Sequence, residues 1–225
     1  MGWFGCALLA GVVALPLSAG TSLARQGRER DAGAFVVTVN GAVVGREEFS
    51  IREGRAGSRD GFTVTSRRLS GDGDVTLAAT TELGPDSQPV AAQLAEPKAE
   101  RRTYIELSPR RITVRAVTPV GESVREYPGG TPLWLADPGV LAWFAMLPPV
   151  GTGRLTVLWP RENRCETWEI ADRGVEPAPP GSDSKSLRHI VLGTAPNERH
   201  LWYDDAGRLR KLEDPTGLQA VRAAH

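Results

Sequence analysis

Turn residues interrupt this chain at short intervals, and the stretches between them are rich in β-branched and aromatic residues. The strongest turn signal is Asn40-Gly41, which lies between two such stretches, residues 35–39 and 42–51. Asparagine followed by glycine supplies the two positive φ angles of a type I′ turn, so this region predicts a β-hairpin. A chain that is divided in this way throughout is expected to form consecutive antiparallel strands.

The same pattern continues almost to the end of the sequence. Further strand-like stretches are residues 62–69, 75–83, 90–94, 103–107, 112–117, 123–127, 154–159, 165–170, 189–193, 199–203 and 208–212. The chain has 25 glycines and 17 prolines among 225 residues, a share well above the roughly 12% of average proteins. Apolar and polar residues alternate in residues 75–83, which predicts one buried and one solvent-exposed face. The fold class predicted is mainly β, a curved antiparallel sheet or half-barrel built as a meander.

Residues 137–149 are the stretch that predicts a helix. Asp137 is a suitable helix cap, Pro138 suits the first helical position, and Pro148-Pro149 would end the helix. Residues 140–147 are apolar on every side, so such a helix is either covered by the sheet or partly presented to an apolar ligand or a membrane. We expect one short apolar helix packed on the concave face of the sheet.

The first 24 residues carry no charge and contain an apolar run at residues 7–17. This run is too short for a membrane-spanning helix, and small residues at Ser22 and Ala24 fit a signal-peptidase site. The sequence therefore predicts a signal peptide, residues 1–24, and a soluble periplasmic or secreted protein; an uncleaved membrane anchor is the alternative. Residues 25–33 are expected to be a flexible N-terminus, followed by a single β domain, residues 34–222, with a Pro/Ser-rich loop at 172–186.

The sequence shows no constellation that predicts catalysis. Lys and Arg total 27 and Asp and Glu total 27, and this balance argues against a nucleic-acid partner. The common hydrolase, nucleotide-binding and zinc-protease motifs are absent from the sequence. His189, His200 and His225 are too few and too scattered to predict a metal site, and no cofactor is expected. A dyad of Cys165 with His189 or His200 is possible, but the strand-like context of Cys165 favours a packing role.

Four features of the sequence resemble a known group of proteins. They are the opening segment NGAVVGREEF (residues 40–49), the long meander, the short apolar helix and the closing segment LWYDDAGRL (residues 201–209). In layout the chain resembles uncharacterised bacterial exported proteins similar to the lipoprotein carriers LolA and LolB. The resemblance implies a curved antiparallel half-barrel closed by helices over an apolar cavity. It carries over no functional residue.

Two functions are open from the sequence. The first is a periplasmic protein that binds a lipid or the acyl chain of a lipoprotein without catalysis, with Trp143, Phe144, Leu147 and Trp159 as candidate ligand contacts. The second is an interaction or assembly module that binds another protein of the cell envelope. An enclosed apolar cavity would favour the first function over the second.

Overall fold

The computed structural model describes residues 27–129, 132–147, 152–178 and 184–223. The predicted signal peptide, the Pro148-Pro149 helix end and His225 lie outside the described residues. Within them the chain forms fifteen β-strands, one short α-helix and one 3-10 turn. The mainly β fold predicted from the sequence is confirmed.

Most strands follow one another with short connections, and the longest connection, between β9 and β10, contains the helix. They are β1 (Glu29–Val39), β2 (Ala42–Ala56), β3 (Arg59–Ser70), β4 (Val75–Leu83), β5 (Pro89–Glu96), β6 (Arg101–Leu107), β7 (Arg111–Thr118), β8 (Gly121–Pro128), β9 (Leu133–Leu135), β10 (Gly153–Trp159), β11 (Arg164–Pro177), β12 (Ser186–Leu192), β13 (Arg199–Tyr203), β14 (Leu209–Glu213) and β15 (Leu218–Arg222). The helix α1 (Ala142–Ala145) lies between β9 and β10.

All fifteen strands belong to one sheet, in the order β8-β7-β6-β5-β4-β3-β2-β1-β15-β14-β13-β12-β11-β10-β9. Two meanders, β1 to β8 and β10 to β15, meet where β1 pairs antiparallel with β15, with Phe35 opposite Arg222 and Val39 opposite Leu218. The two ends of the sheet are β8 and β9, which are consecutive in the chain. The β9–β10 pair is parallel, with Leu135 opposite Leu158, an exception to the antiparallel meander.

Two segments expected to be irregular contain paired strand. β1 begins at Glu29, whose partner is Arg52, so residues 29–33 of the expected flexible N-terminus lie in the sheet. β11 extends to Pro177, opposite Ser186, so residues 172–177 of the expected loop also lie in the sheet. Pairing with an existing neighbouring strand outweighs a polar local composition.

The sheet curves so strongly that its β9–β10 edge lies against the concave face of the other half. One face of this edge, with Trp134 and Val157, belongs to a large core together with side chains of β1–β3 and β11–β15. The opposite face, with Leu135 and Leu158, belongs to a second core together with side chains of β4–β7. The β9–β10 edge therefore fills the space that a simple half-barrel would leave open.

The helix is shorter than the sequence predicts, but it lies on the concave face as expected. It covers only Ala142–Ala145, because the residues before it form a separate turn in which Val140 donates to the carbonyl of Asp137. The Asp137 carboxylate accepts from the Gly139 amide at 2.8 Å and so caps that turn instead of α1. Among the described residues no helix is long and apolar enough to cross a membrane.

Candidate functional site

Residues 133–147, which we call the inner segment, occupy the concave face. Its helix is tied to both halves of the sheet: the Trp143 indole donates to Thr81 Oγ1 of β4 at 2.7 Å, and the Tyr203 hydroxyl of β13 donates to the Phe144 carbonyl at 2.8 Å. Within the segment, the Trp134 indole donates to the Trp143 carbonyl at 3.0 Å. These buried polar groups therefore find partners on the sheet or within the segment itself, as burial requires.

A buried carboxylate holds the start of the helix. Glu47 of β2 is fully buried, and its two oxygens accept from the backbone amides of Leu141 at 2.7 Å and Ala142 at 2.8 Å. Burial raises the pKa of Glu47 to about 7, although the two amide hydrogen bonds and the charge of Arg68, directly opposite on β3, lower it. Glu47 is thus an ionisable group in direct contact with the inner segment near neutral pH.

An ion pair anchors the other end of the turn. Arg161, between β10 and β11, donates to both oxygens of Asp137, at 2.6 and 2.5 Å, and to Glu96 at the end of β5, at 3.2 Å. Asp137 is almost fully buried, and a two-point guanidinium–carboxylate contact fixes orientation as well as distance. The inner segment is therefore held at two carboxyl groups, that of Asp137 and that of Glu47.

The four candidate ligand contacts, Trp143, Phe144, Leu147 and Trp159, are all at most 3% exposed. Phe144, Leu147 and Trp159 belong to the larger core, whereas Trp143 belongs to the smaller one. The space left beside Trp143 and the adjoining strands is only about 10 Å³. These side chains contact the protein's own core, so a ligand would reach them only after the inner segment had moved.

The strand β8 differs from this buried interior. Seven of its eight residues are exposed, and its partner in the sheet is β7, with Thr118 opposite Gly121. Because successive side chains of a strand point to opposite faces, the exposure of residues 121–126 means that neither face is covered there, whereas Tyr127 packs partly against the smaller core. Val120 at the hairpin tip is 97% exposed and Val124 is 54% exposed. We call residues 120–128 the β8 edge.

Two of the histidines that are scattered in the sequence lie together in the structure. His189 Nε2 and His200 Nδ1 are 3.0 Å apart, and Glu176 Oε1 lies 2.7 Å from His189 Nδ1. Trp202 stacks on His189 with ring centroids 4.6 Å apart and donates to Glu176 at 3.1 Å. The hydrogen bond from His189 holds the pKa of Glu176 below its usual value. Residues 11 to 26 positions apart meet here because β11, β12 and β13 are adjacent, a relation that composition does not reveal.

In the part of the chain that the structure describes, no group of three or more His, Cys, Asp or Glu residues is arranged to hold a metal ion. Cys165 lies on β11 opposite Leu158 and is partly buried against the smaller core. Burial raises the pKa of the Cys165 thiol, and the nearby Glu166 charge raises it further. A catalytic thiol requires the opposite shift, so the packing interpretation of Cys165 fits its surroundings.

No protein-family model matches the chain, and no curated protein matches its sequence. The resemblance to the LolA and LolB carriers stays a prediction that rests on layout.

Proposed function

We propose that this protein is an exported interaction module that binds another protein through the β8 edge. The observation that carries this proposal is a strand of eight residues at the end of a large sheet, with both faces exposed over residues 121–126. The outer side of such a strand presents unpaired N–H and C=O groups, and an extended segment of a partner protein can add to it as a further strand.

The charges of the β8 edge disfavour pairing with a second copy of the protein in the registers centred on Val124 and on Arg125. If two copies paired antiparallel with Val124 opposite Val124, each Glu122 would face the other copy's Glu126, and like charges in opposite positions destabilise a sheet. With Arg125 at the centre, the two arginines would face each other. Glu122 lies 3.5 Å from Arg115, and Glu126 lies 3.3 Å from Arg111, both on β7. These ion pairs hold the two acidic side chains within the β7–β8 hairpin.

Binding of a lipid or acyl chain is the second candidate. It is supported by the apolar concave face, which here receives the apolar helix of the inner segment. Such a ligand would have to replace that helix. Lipid that copurifies with the native protein in mass spectrometry would support this function, and lipid-free protein that fails to bind added fatty acid or phospholipid would exclude it.

Site-specific photocrosslinking in the producing cell tests the interaction module. A photoreactive amino acid replaces Val120 at the hairpin tip, and the matched control carries it at Val221, which is 49% exposed but paired on both sides, with Val36 of β1 and Lys211 of β14. We expect a discrete crosslinked product from position 120 alone. The product should disappear when Val124→Pro removes a backbone donor from the edge.

Three results would contradict the proposal. These are no product at position 120, equal products at both positions, or a product that persists in the Val124→Pro variant. A thermal unfolding curve of the proline variant shows whether the rest of the sheet is retained, because an edge strand with exposed faces contributes little to the core.

A further inference from the structure

Two indole rings and a guanidinium group lie together where β10 ends and β13 begins. The centroids of Trp159 and Trp168 are 5.4 Å apart with an interplanar angle of 68°. The Arg199 Cζ atom lies 4.6 Å from the Trp159 centroid and 4.8 Å from that of Trp168. Both indoles are almost fully buried, so Arg199 is held over aromatic rings, where a cation is attracted to the ring faces.

The neighbouring carboxylates are already engaged by other donors. Glu166 Oε1 accepts from the indole N–H groups of Trp159 and Trp168 at 2.7 and 2.8 Å, and its second oxygen accepts from Arg164. Arg164 also binds Glu162 at 3.0 Å. Asp214 accepts from backbone amides of its own turn at 2.8 and 3.3 Å. These acids reduce the local positive charge without occupying Arg199.

Within the described residues, the Arg199 side chain makes no hydrogen bond or ion pair, and its guanidinium group lies over the two indole rings. Burial lowers the pKa of Arg199, although the charges of Asp214 and Glu166 raise it. An arginine stays protonated in such surroundings. Arg199 is only partly buried and none of its nitrogens is both buried and unpartnered, so its N–H donors are accessible to an acceptor from the solvent.

Arg199 borders a cleft of about 210 Å³. Its other walls include Arg164, Thr167, Thr194 and Asn197, whose side chains offer a second cation, two hydroxyls and an amide. The backbone N–H of Asn197 donates to the Thr194 carbonyl at 2.8 Å, which closes the loop that forms one wall. The size and polarity of this cleft suit a small polar ligand and not an acyl chain.

We propose that this cleft binds a small oxyanion, a carboxylate or phosphate group, on the N–H donors of Arg199. A guanidinium can donate two parallel hydrogen bonds to either group, while the indoles hold its plane in place. Thr167, Thr194 and Asn197 line the space that the rest of the ligand would occupy. The site is separate from the β8 edge, so its test does not depend on whether the protein is an interaction module.

Tryptophan fluorescence and calorimetry test this site directly, because two indoles contact the binding cation. The purified protein is titrated with inorganic phosphate and, separately, with acetate, at constant ionic strength maintained with chloride. We expect saturable binding of at least one anion. Arg199→Met should abolish it, and Arg199→Lys, which keeps the charge but loses the two-point geometry, should weaken it about tenfold or more. Arg154→Met, at an exposed arginine of β10, should bind like the parent.

The two titrations separate the possible ligands. Saturation with phosphate alone assigns a phosphate group, saturation with acetate alone assigns a carboxylate, and saturation with both supports a general oxyanion site. The proposal is overturned if the parent protein shows no saturable binding, or if Arg199→Lys binds as tightly as the parent. Melting temperatures identify a variant that fails to fold, and the lysine variant decides the matter if the methionine variant is unstable.

Discussion

The two edge strands of the sheet differ in burial, because β9 is buried and β8 is exposed. All three residues of β9 are buried, and their strand lies between the two cores, with the Leu133 amide donating to the Gln88 side chain at 3.0 Å. At the other end, seven of the eight residues of β8 are exposed. The chain passes from the exposed edge to the buried one within a few residues, because Pro128 ends β8 and Leu133 begins β9.

The side chains of the two edges explain the difference. The β9 edge is Leu-Trp-Leu, which gains free energy by leaving water. The β8 edge is Gly-Glu-Ser-Val-Arg-Glu-Tyr-Pro, whose charges would lose hydration on burial and which discourage unwanted strand pairing. One edge of the sheet is therefore protected by burial, whereas the other stays exposed and is protected only by its charged side chains.

The largest expected effect comes from truncating the inner segment. Trp143→Ala should lower the free energy of unfolding by about 3–5 kcal/mol, because it leaves a cavity between the two cores and removes the donor to Thr81. The matched change on the exposed edge, Val124→Ala, should alter it by less than about 0.5 kcal/mol. Urea denaturation of both variants measures the contrast, and similar losses would show that the two edges do not differ as described.

The next effect concerns pH. Because the pKa of Glu47 is raised to about 7 in the folded protein, the folded state holds this proton more tightly than the unfolded state. The resulting stabilisation is complete below the ordinary glutamate pKa and is lost as the pH rises to about 7. The pKa difference corresponds to roughly 3 kcal/mol.

Unfolding curves between pH 4 and 8 measure this contribution. Glu47→Gln should flatten the dependence over that range. Glu48→Gln should leave it unchanged, because Glu48 is on the outer face, paired with Arg46 and Arg67. If the Glu47 variant kept the pH profile of the parent, protonation of Glu47 would not be the cause of the pH dependence of stability.

A smaller effect is expected at Tyr203. Tyr203→Phe removes the hydrogen bond to the Phe144 carbonyl while keeping the ring, and should lower the free energy of unfolding by about 1–2 kcal/mol. The corresponding change of the half-exposed Tyr104 on β6, whose ring lies beneath Arg115, should have little effect. Equal losses at Tyr104 and Tyr203 would argue that the hydroxyl does not hold the inner segment in place.

Apart from the control substitutions, the smallest change in stability is expected for Val124→Pro. Edge strands tolerate proline, so the free energy of unfolding should fall by less than about 1 kcal/mol, while crosslinking at position 120 is lost. A global loss of structure in circular dichroism would contradict the peripheral position of β8.

The extent to which the fold was predictable depends on the range of each interaction. Asn40-Gly41 predicts its own hairpin, and both residues have positive φ angles, 49° and 82°, because the turn type is a local property. The pairing of β1 with β15 joins residues nearly two hundred positions apart, and no local sequence pattern predicts it. The buried position of Glu47 was open to prediction, since Glu47, Phe49 and Ile51 alternate on one face of β2, but a charged residue is ordinarily assigned to solvent.

The sequence by itself determined the mainly β class, the turns, and the presence of one apolar segment that has to be covered, because these follow from backbone preferences and from side-chain polarity. Only the tertiary structure decided that this segment and the β9 edge fill the concave face, that His189 meets His200, and that Arg199 lies over Trp159 and Trp168 beside a polar cleft. Each of these results from the register and curvature of distant strands, which depend on how all fifteen pack together and not on any single stretch of residues.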